Sequence, residues 1–220
     1  MMTGFSSSPR LLKAGIVLMD PGNGQVLRMI SLQYNPDNLS RSLQIQALAA
    51  EGGDRSEALR MKGPPVETFK LEAEIDATDQ LEFPDQNRNT VQHGIHPQLA
   101  ALETLIYPSS AALQAHNALA GSGALEIIPM EAPLAVFVWS KQRAVPVRVT
   151  EFSVTEEAFD PLLNPIRAKV NLGLRVLSVD DLGFTHKGGS LFMSYLKNKE
   201  ALAGKAPGAT LATLGLEGLS

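Results

Sequence analysis

The stretch Ile166-Arg167-Ala168-Lys169-Val170-Asn171-Leu172-Gly173-Leu174-Arg175-Val176 alternates apolar and polar residues without a break. Successive side chains of a β-strand point to opposite faces, so this period of two predicts a long strand with a buried face and a basic outer face. The segment Thr68–Asp76 alternates in the same way, with Phe69, Leu71, Ala73 and Ile75 opposite a charged face. Two half-solvated antiparallel strands therefore organise the predicted fold.

Further strands are predicted on both sides of these two. Leu11–Asp20 and Val26–Tyr34 flank a turn at Asp20-Pro21-Gly22-Asn23-Gly24 and form a hairpin. Leu39–Leu48 forms another strand, and Leu134–Lys141 is apolar enough to be covered on both faces. The apolar positions of the following strand are Val145, Val147 and Val149, then Phe152 and Val154, so a β-bulge is expected near Glu151.

Two segments carry helical patterns. Pro97 begins a helix with Leu99, Leu102 and Ile106 on one face, which ends near Tyr107-Pro108. Ser190 caps a last helix, whose apolar face holds Leu191, Tyr195 and Leu202.

Strands and helices do not alternate along the chain, which argues against a parallel sheet. The fold class predicted is mainly β with minor α, as an antiparallel β-sandwich or open barrel with two peripheral helices. Residues 11–203 form this one domain, and residues 1–10 and 204–220 are expected to be flexible. The polar, Gly-rich residues 49–66 predict a mobile loop or the tip of a long hairpin.

Composition excludes several classes of protein. The chain has no cysteine and a formal net charge of −4 with interspersed signs. Nucleic-acid binders show a basic stripe, so no nucleic-acid partner is expected. No apolar run approaches the roughly 20 residues that span a bilayer, so no direct membrane insertion is expected. The first residues lack the basic and apolar regions of a signal peptide, which predicts a cytoplasmic location.

Catalytic patterns are weak throughout. His93 and His96 follow an acidic stretch and are loose candidates for metal ligands. Lys187-Gly188-Gly189-Ser190 could bind an anion at a helix N-terminus, but a glycine turn with a serine cap is the favoured interpretation. We expect no catalysis, no cofactor and no metal, and a pair of carboxylates for sugar hydrolysis stays open as an alternative.

Four stretches, in this order, resemble the tube-type proteins of contractile injection systems. They are Leu32-Gln33-Tyr34-Asn35-Pro36-Asp37-Asn38-Leu39-Ser40-Arg41-Ser42, Gly63-Pro64-Pro65 continuing through Glu67-Thr68 to Leu81, Gly94-Ile95-His96-Pro97-Gln98-Leu99 running on to Pro108, and Phe159-Asp160-Pro161 through Asn164-Pro165 into the last strand. Many members of that family carry a peptidoglycan-binding LysM module after this domain. The present sequence shows none, so cell-wall binding is not expected.

The resemblance implies a phage-tail-like structural subunit. Such subunits form a hexameric ring at the baseplate, join the spike to the inner tube and initiate tube assembly. The implied partners are copies of the chain itself and the tube, spike or hub and baseplate proteins of one injection particle. A stand-alone ligand- or carbohydrate-binding β-sandwich is the alternative, for which an exposed aromatic cluster would be expected.

The charged strand faces and the polar loop supply candidates for contacts between subunits, although each could equally be a solvated face. These candidates are Arg167, Lys169, Arg175, Glu72, Glu74, Arg55 and Arg60.

Overall fold

The computed structural model describes residues 11–47, 60–121 and 132–218. In chain order the elements are β1 (Gly15–Met19), β2 (Val26–Ser31), β3 (Leu39–Gln44), β4 (Val66–Asp76), α1 (Thr78–Leu81), α2 (Arg88–His93), α3 (His96–Glu103), α4 (Ser110–Gly121), β5 (Leu134–Ser140), β6 (Arg143–Phe159), β7 (Pro165–Val176), α5 (Val179–Leu182) and α6 (Lys187–Ala203). A 3₁₀ turn, Leu211–Leu214, lies in the exposed residues 204–218.

The strands form one antiparallel sheet in the order β2-β1-β5-β6-β7-β4-β3. The mainly-β class with minor α is therefore confirmed. Within the described residues the strands make a single layer that does not close on itself.

The two alternating segments are neighbours in this sheet. β4 and β7 pair from Thr68↔Arg175 to Asp76↔Arg167. Their apolar positions are buried on one face, as the alternation predicts, and they are Phe69, Leu71, Ala73, Ile75, Ala168, Val170, Leu172, Leu174 and Val176. Because β7 also pairs with β6, it lies inside the sheet.

The sheet is strongly curled. The rings of Phe69 on β4 and Phe137 on β5 have centroids 5.6 Å apart, although two strands separate β4 from β5. Neighbouring strands lie about 4.8 Å apart, so a flat sheet would hold these two strands about 14 Å apart. The register of β6 shifts between Val149 and Glu151, which confirms the expected bulge, and bulges increase local twist. The core therefore fills the concave side of a curled sheet.

The side chain of Gln33 connects the two ends of the curl. Gln33 lies in the segment that joins β2 to β3, the two edge strands. Its Nε2 donates to the carbonyl of Asp76 at 2.6 Å, and the N–H of Asp76 donates to its Oε1 at 3.1 Å. The side-chain amide of Gln33 thus makes with Asp76 the two hydrogen bonds that the backbone of a neighbouring strand would make. The curled sheet therefore has the form of an open barrel.

Helices cover the concave side. Leu99 and Leu102 of α3 and Phe192 and Tyr195 of α6 belong to the buried core. Helix α3 ends at Glu103, earlier than expected, so Ile106 is exposed beyond it.

The predicted cap of the last helix is wrong. Helix α6 begins at Lys187, and His186 caps it by accepting the N–H of Gly188 on Nδ1 at 3.0 Å. Ser190 lies inside the helix, and Leu202 of the predicted apolar face is exposed. Gly188 and Gly189 allow α6 to pack closely against the preceding turn, since a Cβ on Gly189 would lie only 1.9 Å from the carbonyl oxygen of Gly183.

Four helices were not predicted. Helices α1, α2 and α5 are single turns or little more, too short for a helical period to show. Helix α4 is rich in alanine, whose small side chain marks an apolar face less clearly than a large one, and none of its residues is buried.

Replacing Leu172 with Asp tests the assignment of the two faces. Leu172 is 2% exposed, so the new carboxylate would be buried without a partner and should cost several kcal/mol of unfolding free energy. The matched control is Asn171→Asp, one residue away on the outer face, which should change that free energy by less than about 1 kcal/mol. Urea unfolding of both variants measures the difference, and equal stabilities would show that the faces are assigned the wrong way round.

Candidate assembly surface

The outer face of the stretch β3-β4-β7-β6 is polar along its whole length. Registered pairs bring the acidic positions of β4 beside the basic positions of β7, with Glu74 opposite Lys169 and Asp76 opposite Arg167. The two charged faces that the sequence predicts separately are thus one surface. Cross-strand pairs of opposite charge stabilise a sheet modestly, so part of this charge pattern serves the fold itself.

Three of the candidate contact residues have carboxylate partners within the chain. Arg167 Nε lies 2.8 Å from Asp76 Oδ2, Lys169 Nζ lies 3.7 Å from Glu157 Oε1, and Arg175 lies 2.7 Å from Asp181 Oδ1. Partly exposed pairs of this kind are worth little energy, so these side chains stay available to a neighbour.

The other candidates differ in position. Within the described residues neither Glu72 nor Glu74 forms an ion pair, and both are exposed on β4. Arg60 is exposed just before β4, whereas Arg55 lies outside the described residues. The predicted loop 49–66 is described only from residue 60, where Met61 bridges Ala47 in continuation of the β3–β4 hairpin.

Two strand edges of this stretch have no strand partner in the described part of the chain. β5 pairs with β6 only over Arg143–Val147, so from Arg148 onward β6 pairs with β7 alone. β3 pairs with β4 alone, and its residues are almost all exposed. Unpaired edges of this length are templates for another strand.

The two edges carry opposite charge. The free half of β6 has Glu151, Glu156 and Glu157 and one base, Arg148, whereas the one charged residue of β3 is Arg41. Arg60 and Lys62 flank Met61 on the β4 side of the Ala47–Met61 bridge. An acidic edge and a basic edge on one chain are complementary between copies.

A buried carboxylate anchors the basic edge. Glu67 is 3% exposed, and it accepts hydrogen bonds from Tyr195 Oη and Lys199 Nζ, each at 2.8 Å. Arg41 of β3 lies 3.7 Å from the same carboxylate. The contacts join α6 to β3 and β4, which holds the edge strand in place. Sequence analysis missed Glu67. It lies two residues before Phe69 and therefore on the same, apolar face of β4, and a charged residue at such a position indicates a buried carboxylate with partners.

The loop between β6 and β7 is built around Asp160. Its carboxylate accepts the N–H groups of Leu162 and Asn164, both at 2.8 Å, and the side-chain amide of Asn164 at 2.8 Å. These hydrogen bonds, first of all that from the Asn164 side chain, hold the pKa of Asp160 below its usual value. Leu163 has φ 66°, a left-handed conformation that leucine rarely adopts.

Two cavities flank the segment that joins β2 to β3. A groove of about 900 Å³ on the outer face is lined mainly by polar residues of that segment and of β4, β6 and β7, and Tyr34 is its one aromatic lining residue in the described chain. A smaller cavity of about 310 Å³ is mostly apolar and lies between β2, the end of β4 and α3. Neither cavity provides the aromatic platform expected of a carbohydrate site.

The histidine candidates are both exposed, His93 at the end of α2 and His96 at the start of α3. Within the described ranges no three metal-ligating side chains come together. None of the helices in those ranges is long and apolar enough to cross a membrane.

No protein-family model and no curated sequence matches the chain. Among solved structures, the chain is similar to one described as the tail of an empty GTA particle with C6 symmetry. The alignment covers 74% of this chain and 90% of that chain, with 10% identity and a TM-score of 0.29. At that score the likeness decides neither fold nor function.

Acid should weaken the ion pair between Asp76 of β4 and Arg167 of β7. Burial raises the pKa of its carboxyl, but hydrogen bonds from Thr78 and Arg167 outweigh that effect and hold the pKa below its usual value. The folded pKa is thus lower than the unfolded one, so the stabilisation is present above about pH 4 and is lost as the pH falls through the folded pKa.

Urea unfolding at a series of pH values measures this. Asp76→Asn should show a shallower loss of stability below about pH 4 than the parent chain. Asp85→Asn is the matched control, because Asp85 is exposed and has no ion pair in the described residues. An unchanged acid slope in Asp76→Asn would contradict the assignment.

Proposed function

We propose that the chain is a structural, non-enzymatic subunit of a contractile injection system. In this role it forms a hexameric ring at the baseplate, which joins the spike to the inner tube and initiates tube assembly. The sequence resemblance supplies the class of machine, and the four-stranded stretch supplies a physical means of building a ring.

The pair of oppositely charged free edges carries the proposal. β3 and the free half of β6 lie at the two sides of the stretch β3-β4-β7-β6. β3 runs antiparallel to β4 and β6 antiparallel to β7, so β6 of one copy meets β3 of the next in antiparallel orientation. Because the two edges differ, the contact is heterologous, and such contacts close into rings when the rotation permits.

The polar outer face fits the same arrangement. Side chains alternate across a strand, so the face opposite the core is continuous from one copy to the next once the edges pair. It carries Lys70, Glu72, Glu74, Lys169 and Asn171. A ring built in this way has a hydrated, charged wall along the sheet, as a channel for passage of protein requires.

Paired cysteines test the ring. The chain has no native cysteine, and the registers place Ser40 beside Lys70, Lys70 beside Gly173 and Gly173 beside Glu151, all at one level of the sheet. Ser40→Cys/Glu151→Cys treated with a short bismaleimide should give a ladder of cross-linked species on a denaturing gel that ends at the ring size. Each single variant is the control, since one thiol per chain can link no more than two copies. A second double variant, Ser40→Cys/Ser153→Cys, allows for a stagger of two residues between the paired edges. If neither double variant gives a ladder, the two edges do not pair.

Nucleation of tubes tests the initiator role separately. Rings of this chain, mixed with the tube subunit of the same particle, should shorten the lag before tubes appear in electron micrographs. The control is Ser42→Pro, which places a residue without an N–H in edge strand β3 and should hinder edge pairing. If cross-linked rings form but leave the lag unchanged, the chain is a ring protein with another position in the particle.

A further inference from the structure

The carboxylate of Glu67 connects the start of β4 to helix α6. Tyr195 and Lys199 lie four residues apart on one face of α6, and each donates a hydrogen bond of 2.8 Å to this carboxylate. Lys199 Nζ also lies 4.2 Å from the centroid of the Tyr195 ring, so the two side chains support each other. One charged group thus joins two elements that are far apart in the chain.

The edge strand β3 reaches the same carboxylate from its other side. Leu43 is paired with Glu67 in the register of β3 with β4, and Arg41 lies 3.7 Å from the carboxylate. Because side chains alternate along a strand, Arg41 and Leu43 share one face of β3, which is the face that carries Glu67 on β4. Separation of β3 from β4 would therefore take a cation away from the carboxylate and admit water beside it.

Stability of the core gives no reason for a charge at this position. Burial of a carboxylate is costly, and a well-packed apolar side chain often stabilises a core as well as a buried ion pair does. The carboxylate adds a simultaneous bond to several elements. If α6 withdraws its donors, the buried charge needs water in their place. β3 can open with the least loss of contacts, because in the described chain it pairs with β4 alone and its residues are almost all exposed.

We propose that Tyr195 and Lys199 of α6 form a latch that keeps β3 closed on β4, with Glu67 as the positioning residue through which they act. Release of the carboxylate by α6 opens β3 while the inner strands stay folded. The consequence for assembly rests on the proposed function. A latched β3 is already ordered as a template for β6 of the next copy, so pairing loses less conformational entropy. The latch itself is a property of the single chain.

Amide hydrogen exchange of the monomer tests the latch. Lys199→Met removes the cation and its hydrogen bond but keeps a long side chain, and it should raise the exchange rate of β3 (Leu39–Gln44) about tenfold. β7 (Pro165–Val176) should exchange as slowly as in the parent chain, because it lies inside the sheet. Lys197→Met is the matched control, since Lys197 is exposed on the same helix and forms no ion pair in the described residues.

A second variant guards against a general loss of structure in the first. Tyr195→Phe leaves the ring in the core and removes one hydrogen bond, so exchange of β3 should rise about fivefold. Faster exchange that is confined to β3 and the adjoining part of β4 in both variants supports the latch. Equal acceleration in β7 would show that the cluster only adds to global stability, and unchanged exchange of β3 would show that the cluster does not hold it. Either result overturns the inference.

The role of the latch in assembly is measured separately. Lys199→Met, added to Ser40→Cys/Glu151→Cys, should weaken the ladder of cross-linked copies, whereas Lys197→Met should leave it unchanged. A ladder of equal strength with Lys199→Met overturns the role of the latch in assembly. Absence of a ladder in the parent double variant contradicts the ring, and the exchange result on the monomer then still decides the latch.

Discussion

The pairing of β4 with β7 places two alternating sequences side by side, and the remainder of the molecule is arranged around this contact. On one face the pairing gathers apolar side chains into the core, and on the other it aligns the acids of β4 with the bases of β7. The side chain of Gln33 binds the end of β4, β3 continues along its beginning, and β6 extends β7. Loss of this pairing would disconnect the core from both free edges.

Curling of the sheet follows from the same constraint. The two neighbours of β6 cover different lengths of it, since β5 pairs with its first residues only and β7 with nearly all of it. The bulge after Val149 lets the strand bend, which brings Phe69 and Phe137 into contact across the concave side. One consequence is functional. Beyond the bulge, β6 no longer pairs with β5, so this half of the strand has a free edge. The bulge that bends the sheet around the core thus also separates off the edge proposed for assembly.

Charge has two roles on this surface. Arg167, Lys169 and Arg175 lie against carboxylates of their own chain, yet each remains partly exposed and can reach a neighbour. Glu67 is different, because its carboxylate is buried among Tyr195, Lys199 and Arg41 and positions an edge strand from within. A solvated face and an assembly face are therefore not exclusive alternatives here.

The sequence by itself determined the elements whose pattern is local. Period-two alternation defined β4 and β7 with the correct buried faces, the Asp20–Gly24 turn gave the first hairpin, and the phase slip at Glu151 located the bulge. These features depend on residues a few positions apart, and a linear pattern records them. Short helices and the cap of α6 were missed, since a single turn shows no period and the Gly188–Gly189 pair resembles a loop until its contact with Gly183 is known.

Only the tertiary structure decided which strands are neighbours and which edges stay free. Nothing in the linear order states that β4 lies beside β7, or that Gln33 spans the opening to Asp76, because these contacts join residues that are far apart in the chain. Composition set expectations about the class of function, but the candidate interface exists only as a spatial arrangement, because a strand edge is free only where no other strand pairs with it.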